Sequence, residues 1–504
     1  MSSLLRHVAL SASALTLALA FAGCASTHGI SAQTRPLAAS QVDTGAALRE
    51  AAQDAAWPAE GWWQAWQDPQ LDHLLALARQ DSPSLAAAAA RLRQAAALAQ
   101  QAHADTLPQL GLDAHVSREH WPDNYFYGPG LLGNANTWNN TATLDLSYDL
   151  DLFGRHDDLA QRGVDEAHAA AADRRAAELN LETTVIRTYV DFALSYALRD
   201  SLTAILAEQN HILDIATQRL QGGLGTQLEV SQAEAPLPET RRQLEVLAEH
   251  NALLRNQLAL LCGQGPGGGD ALQRPVLSTQ VQNGMTVALP PNLSFDLLGH
   301  RPDVVARRWR VEGQAHGIAA ARAAFYPNVS LSLAAGGFAA AGGAVGGGLL
   351  TFLAAKSLSY SAGPALSLPI FDGGRLRAQL GDAAAGYDLA VAQYDQGVLE
   401  AFKQVSDQIV TLNSLARQQT DIEQSLDTAR KSDHIATEAF RRGLTDYLNV
   451  LNAQARLLTQ QQLQQRLLAS RLDAYATLMG ALGGGLAPQP ASEARGDLPA
   501  APPR

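Results

Sequence analysis

Few side chains in this sequence are spaced for chemistry, and the clearest of them are carboxylates. Asp145, Asp149 and Asp151 all occupy odd positions of one alternating segment, and Asp113 holds the equivalent place in the segment before it. In an extended chain, residues two apart share a face. These four therefore describe an acidic face, which in a water-filled lumen would give a mild preference for cations rather than a binding site. Motifs that would do more are missing. The sequence contains no P-loop, no H-E-x-x-H and no G-x-S-x-G. Gly128-Pro129-Gly130-Leu131-Leu132-Gly133 has the G-x-G-x-x-G form, but it carries a proline and no βαβ pattern surrounds it. His115 and His120 are too few for a metal site. Cys262 closes the apolar run Leu258-Ala259-Leu260-Leu261 and reads as a core residue. A net charge of −12 argues against nucleic acid as a partner. These features predict a protein that is not an enzyme and holds no metal or cofactor.

The elements that carry the carboxylates are strands. Leu110, Leu112, Ala114 and Val116 alternate with Gly111, Asp113, His115 and Ser117. After a loop with Trp121, Tyr125, Phe126 and Tyr127, Ala142, Leu144, Leu146, Tyr148 and Leu150 alternate with Thr141, Thr143, Asp145, Ser147, Asp149 and Asp151. The pattern predicts strands over about 109–118 and 141–151, and again over about 328–336 and 358–370. Pro364 and Pro369 fit a central strand poorly, although Pro369 could end one. A half-buried soluble sheet has the same period. The length and alternation equally suit membrane strands with lipid on one side and a lumen on the other, and an export signal favours that reading. Four strands cannot close a barrel, and an open sheet cannot span a bilayer. Several copies must then pool their strands.

The chain also repeats itself. Ala216 to Val230 returns as Ala436 to Val450, and Arg155 returns as Arg375, at a constant offset of 220. A repeat this long implies one architectural unit used twice. Each strand pair leads into a long helical segment, Arg155 to about Leu220 and Arg375 to about Arg442. Each would be about 100 Å long at ~1.5 Å per residue. Glycines near 222–226 and 442–446 break them, and return helices follow from Thr226 to about Leu261 and from Asp446 to about Leu482. Long antiparallel hairpins of this kind pack as coiled coils. Pro236 and Pro238 should distort the first return helix only.

The N-terminus is an address. Arg6 and His7 precede an apolar run, Val8 to Phe21, that suits a cleaved secretory signal over residues 1–23. Phe21-Ala22-Gly23-Cys24 resembles a bacterial lipobox, with Cys24 acylated by diacylglycerol and an N-acyl chain. Ala25 beside it implies sorting to the outer membrane. Residues 24–60 are expected to form a tether and 61–262 the first repeat. A linker over 263–290 and the second repeat over 291–482 follow, with a disordered tail over 483–504.

With Trp62-Trp63, Asp68-Pro69, Tyr148-Asp149-Leu150-Asp151-Leu152-Phe153-Gly154-Arg155, Leu298-Gly299-His300-Arg301-Pro302-Asp303, Phe325-Tyr326-Pro327 and Leu368-Pro369-Ile370-Phe371-Asp372-Gly373-Gly374-Arg375, the chain resembles the TolC-like outer-membrane factors. It is most similar to the lipidated OprM and NodT type that serves resistance-nodulation-division pumps. The resemblance implies a homotrimer with a twelve-stranded α/β-barrel tunnel, four strands per protomer, mostly α, passing small molecules out passively. It also implies a periplasmic adaptor that meets the hairpin tips, Gly223, Leu224, Gly225 and Thr226 with Gly443, Leu444, Thr445 and Asp446. An inner-membrane transporter supplies the energy. Where family members carry gate aspartates this chain has Asn449 and Asn452, and Asp446 and Glu229 could form a ring nearer the tip. Arg301-Pro302-Asp303 reads as structural, a helix start. A type I protein-secretion or metal-efflux duct fits the same architecture, although no Met- or His-rich tract is present. A spacer lipoprotein without a pore would need no lumen face.

Overall fold

A computed structural model describes residues 27–38, 41–43, 45–51, 57–122, 134, 136–275, 293–342 and 355–486. The signal segment, Cys24, loop residues 125–127, the 128–133 glycine motif and positions 276–290 of the linker lie outside them, as does the tail from 487. The chain divides into two compact units. One comprises 1–36, 93–169 and 307–394; the other comprises 37–92, 170–306 and 395–504.

The first unit holds the sheet. Its strands are β1 (Gln109–His120), β2 (Asn136–Asp149), β3 (Asn328–Gly342) and β4 (Leu358–Ser367), antiparallel in the order β1-β2-β3-β4. Leu112 pairs with Leu144, Leu144 with Ala335 and Ala335 with Tyr360. The apolar sets predicted for each strand therefore fall on one face. β1 and β3 run further than their alternation reached, and β2 begins earlier, at Asn136. Pro364 does lie within β4, opposite Leu331. β4 is an edge strand of this sheet, where one row of N–H groups is outside the ladder and a proline is tolerated. Pro369 lies beyond its end.

One assignment needs correction. Asp151 was expected on the polar face of β2, but that strand stops at Asp149. Asp151 sits in a turn with φ +40°, and its carboxylate accepts the N–H groups of His156 and Asp157 at 3.0 and 2.9 Å. A carboxylate at a helix start meets unpaired donors and the positive end of the dipole, so Asp151 caps the long helix that follows. Period two continued by chance through a helix cap.

The predicted tether is also more ordered than a spacer. Residues 27–36 lie along the first unit as an extended strap. The Asp388 carboxylate accepts the N–H of Gln33 (2.9 Å), and the N–H (2.9 Å) and hydroxyl (2.6 Å) of Thr34. Ile30 and Ala32 pack against Ile318, Phe325, Leu376 and Leu380. Arg377 donates to the His28 carbonyl at 3.3 Å. Further on, Gly45–Ala51 forms a short helix, α1.

The helices are α2 (Pro69–Asp81), α3 (Pro83–Ala104), α4 (Arg155–Gln221), α5 (Gln227–Glu234), α6 (Pro236–Leu261), α7 (Leu293–His300), α8 (Pro302–Ala323), α9 (Arg375–Arg441) and α10 (Tyr447–Ala481). Ser82-Pro83 separates α2 from α3, a break that the alanine-rich sequence hid. Trp62–Trp66 is a 3-10 turn. The core of the second unit gathers Leu71, Leu75 and Ala78 with Val185, Ile186, Tyr189 and Phe192, and closes on Leu258, Cys262, Leu472 and Ala476. Asp68 caps α2 and also accepts the Tyr189 hydroxyl at 2.6 Å. Burial and that carboxylate hold the phenol well above its ordinary pKa. Burial likewise pushes the Cys262 thiol up to about 11, as suits a core cysteine.

The first return helix is interrupted where its prolines fall. α5 ends at Glu234, and Pro236 opens α6, a position where a missing N–H costs nothing. α10, without proline, is continuous. Pro302 opens α8, and Arg301, 6% exposed, forks onto Asp303 through two 2.8 Å bonds. Its remaining nitrogen reaches Gln404 and the Ala481 carbonyl. Gly483 and Gly484 close α10 by bonds to Gly480 and Met479. Residues 483–486 thus belong to the fold and not to the predicted tail.

Candidate functional site

Among the described residues, two places group exposed apolar side chains in a regular arrangement. The first is the apolar face of the sheet. Leu110, Leu112 and Val116 on β1, Leu144 on β2, Leu331 and Leu333 on β3, and Leu358, Tyr360 and Leu366 on β4 are all solvent-facing, Leu112 by 75% and Tyr360 by 82%. Contiguous apolar exposure on this scale marks an interaction surface. Aromatic side chains stand at both ends. Phe153 stacks on Tyr326 with centroids 4.6 Å apart, and Phe371 is exposed beside the end where β1 and β3 begin. At the opposite end Arg118 lies over the Trp138 ring at 5.5 Å. Aromatic girdles around an apolar band are the pattern of membrane strands.

The other face is polar. Asp113 and Asp145 lie on it with Thr141, Thr143, Ser330 and Ser332. Asp145 accepts the Thr143 hydroxyl at 2.9 Å. Asp149, at the strand end, is partnered by His156 at 3.2 Å and Asn328 at 3.3 Å. Of the four predicted lumen carboxylates, Asp113, Asp145 and Asp149 share the face and Asp151 leaves it for its helix cap. Among the described residues, no group of three or more His, Cys, Asp or Glu could hold a metal.

The second place is the pair of helix turns, both in the second unit. Gly223 (φ +73°) and Gly443 (φ +69°) adopt the left-handed conformation. Leu224 N–H bonds the Arg219 carbonyl at 2.8 Å and Gly223 N–H that of Leu220 at 3.0 Å. Leu444 and Gly443 bond Ala439 and Phe440 in the same way, at 2.8 and 2.9 Å. Each is a Schellman closure, in which the residue after the glycine commonly packs back onto its own helix. Here the leucines do not: Leu224 is 75% and Leu444 76% exposed. Thr226 caps α5 by accepting Glu229 N–H at 3.2 Å, and Asp446 caps α10 by accepting Asn449 N–H at 3.1 Å. The repeat therefore encodes two turns of the same construction, each presenting one bare leucine.

The residues expected near a constriction are not equivalent. The Asn449 amide donates to Thr445 and Asp446 of its own turn at 2.8 and 3.0 Å. Asn452, one turn on, is exposed, and Glu229 stands beside Gly225 in the first hairpin. The structure also adds residues that spacing alone did not single out. Phe440 and Tyr447 are tilted rings 5.6 Å apart, and Arg219 lies over Phe440 at 5.3 Å. They join Ile212, Ala216, Ala233 and Val450 in a small core that ties the first hairpin to the second. Their signal was the places where the repeat is imperfect: Phe440 replaces Leu220 and Tyr447 replaces Gln227.

The family model described as outer membrane efflux protein matches residues 74–264 and 293–484. The chain belongs to that family. The model thus matches twice along the chain. Among relatives of this outer membrane efflux protein, fusaric acid resistance protein FusA of Burkholderia cepacia is 50% identical over 372 residues, 74% of this chain and 68% of its own. Multidrug resistance outer membrane protein MdtP of Escherichia coli K12 is 30% identical over 94% of this chain and 95% of its own. Among solved structures, the outer membrane protein VceC of Vibrio cholerae superposes with a TM-score of 0.77. It shares 34% identity over 85% of this chain and all of its own.

Proposed function

We propose that this outer membrane efflux protein is the exit duct of a tripartite pump, conducting drugs or other small organic molecules passively from a periplasmic adaptor to the outside. The carrying observation is the two-faced sheet: apolar, bare and flanked by aromatics on one side, polar and acidic on the other. Its two edge strands, β1 and β4, present unpaired backbone groups that hydrocarbon would not tolerate. Three copies joined edge to edge give a closed barrel of twelve strands, with the acidic face lining the lumen. An inner-membrane transporter of the resistance-nodulation-division class supplies the energy, because no energy-converting motif is present in this chain. Resistance to fusaric acid and to multiple drugs, named for two relatives, points to small organic cargo.

The adaptor meets the two turns. Leu224 and Leu444 are the anchors, framed by Gly223, Gly225, Thr226, Gly443, Thr445 and Asp446. Asn452 narrows the resting passage, with Asn449 braced behind it by Thr445 and Asp446, so this constriction carries less charge than an aspartate ring. Glu229 and Asp446 contribute nearer the tip.

Cys24 carries the lipid. His28 lies four residue steps further along the chain, so an extended chain lets Cys24 reach at most ~14 Å from the carbonyl that Arg377 holds. Arg377 lies in the first turn of α9, a few residues from Phe371 at the aromatic end of the sheet. An acylated Cys24 thereby meets the membrane boundary where the sheet itself does.

Single-channel recording on the purified, lipidated trimer in planar bilayers tests the reading. Discrete cation-preferring steps are expected, enlarged when Asn449 and Asn452 are both changed to Ala. A trimer that inserts and stays silent in both forms would exclude a duct.

A further inference from the structure

A cleft of about 300 Å³ lies within the first unit, where the end of the sheet meets the starts of α4 and α9. Arg155 and Arg375 line it, together with Phe153, Tyr326, Asn328 and Ser367. The two arginines correspond across the repeat, so each half of the chain supplies one. Each opens its helix, where the positive end of the dipole disfavours a cation. Neither gains a carboxylate in return. Among the described residues the Arg155 guanidinium has no hydrogen bond or ion pair, and that of Arg375 reaches only Gln379, at 3.3 Å.

The nearby carboxylates are committed to backbone. Asp151 also borders the cleft, but it accepts the N–H groups of His156 and Asp157. Asp372 accepts those of Gly374 and Leu376 at 3.0 and 2.9 Å. These caps already occupy donors at both helix starts, so the attraction for an anion belongs to the guanidiniums. The lining sets Arg155 and Arg375 against Asp151 alone, a surplus that matches a monoanion.

The cleft stands at the polar face of the sheet. Asn328 and Ser367 are partners across β3 and β4, and Ser330 and Ser332 follow Asn328 on the same face. The Asn328 amide also donates to Asp149, the last carboxylate of that face. Around α9, Arg375 points away from the strap. At about 100° per residue it lies roughly 160° from Arg377, which holds the His28 carbonyl. Phe153 and Tyr326 stack on each other yet remain 45% and 54% exposed, so a further ring can extend or edge their stack.

We propose that this cleft is a binding station for monoanionic aromatic carboxylates. Arg155 and Arg375 fork onto the carboxylate, for which a planar guanidinium is shaped, and the Phe153–Tyr326 pair packs against the ring. The volume is at the small end of ligand sites and suits a single ring. Inorganic phosphate, with more charge and no ring, is a poorer match. For an exit duct the station would hold acidic aromatic cargo where the passage enters the strands. That placement rests on the duct reading, while the binding itself does not.

Fluorine NMR titration of 4-fluorobenzoate into the full-length, lipidated protein in nanodiscs at neutral pH tests it, with 4-fluorobenzamide as the uncharged ring. The benzoate should bind saturably, and the benzamide about tenfold more weakly or worse. Arg155→Gln and Arg375→Gln should each weaken the benzoate about tenfold, the loss of one charge-assisted contact. Arg155→Lys should fall between native and Arg155→Gln. Both arginines are exposed, so thermal melts of these variants should match the native protein. Unlabelled benzoate should displace the probe more effectively than acetate or inorganic phosphate. Equal binding of benzoate and benzamide, or a benzoate affinity unchanged when both arginines are replaced by Gln, would overturn the station. Acetate as effective as benzoate would overturn the part assigned to Phe153 and Tyr326. Saturable binding by a protein that stays silent in bilayers would keep the station and remove the duct; a conducting protein that binds no benzoate would do the reverse.

Discussion

Changing Leu224 and Leu444 to Ser separates the adaptor's grip from the stability of the fold. Both leucines are about three-quarters exposed, so neither contributes much to folding, and the glycines that set each turn are untouched. The thermal unfolding of the double variant should match the native protein, within the ±0.5 kcal/mol usual for surface changes. Binding is another matter. Full burial of a leucine side chain is worth roughly 1.5–3 kcal/mol. Three-quarters of that surface remains to be covered, so each tip leucine can contribute roughly 1–2 kcal/mol to a complex. Two per protomer give roughly 2–4 kcal/mol, and at 1.4 kcal/mol per decade the adaptor should bind about 30- to 1000-fold more weakly. Titration of the purified adaptor against the lipidated protein in detergent or nanodiscs reads this directly. An affinity within threefold of native would show that the bare leucines are not the anchors. A lowered melting temperature would show that they pack within the fold after all.

Other outcomes follow from the ion pairs. Arg301→Ala takes from the Ala481 carbonyl and from the partly exposed Asp303 carboxylate their shared buried donor, a loss of roughly 1–3 kcal/mol. Arg301→Lys should fall between, because one ammonium cannot replace a fork; thermal melts of both variants check the order. For the strap, the Thr34 hydroxyl and N–H hold the Asp388 carboxyl below its ordinary pKa of 3.8. Its contribution is therefore complete above that value and is lost as pH falls through the depressed one. Limited proteolysis over residues 27–36 should be slow at pH 7 and faster in strong acid, and Asp388→Asn should be cut readily at both.

Legibility followed the period of each signal. Alternation in β1 to β4 placed Leu112, Leu144 and Tyr360 on one face before any register was known, because period two survives in a sheet whose faces meet different solvents. The offset of 220 located both turns, because a left-handed closure demands glycine at Gly223 and Gly443 alike. What stayed hidden was single and aperiodic. Asp151 fits the alternation of β2 yet serves a helix cap. The strap contacts of Gln33 and Thr34 with Asp388 span more than 350 residues and leave no local mark. The bare state of Leu224 and Leu444 could not be told from that of leucines packed onto their own helices.

Each repeat contributes two strands, so the protomer holds an even number, and β1 and β4 point in opposite directions. When β4 of one copy lies beside β1 of the next, that junction is antiparallel like every pair inside the chain. The rule holds for any number of copies in the ring. A three- or five-stranded protomer would force a parallel seam at every junction and a different hydrogen-bond geometry there. Doubling a two-stranded ancestor preserves this property automatically. A gene duplication could thus halve the number of subunits around the ring without disturbing how the wall is stitched.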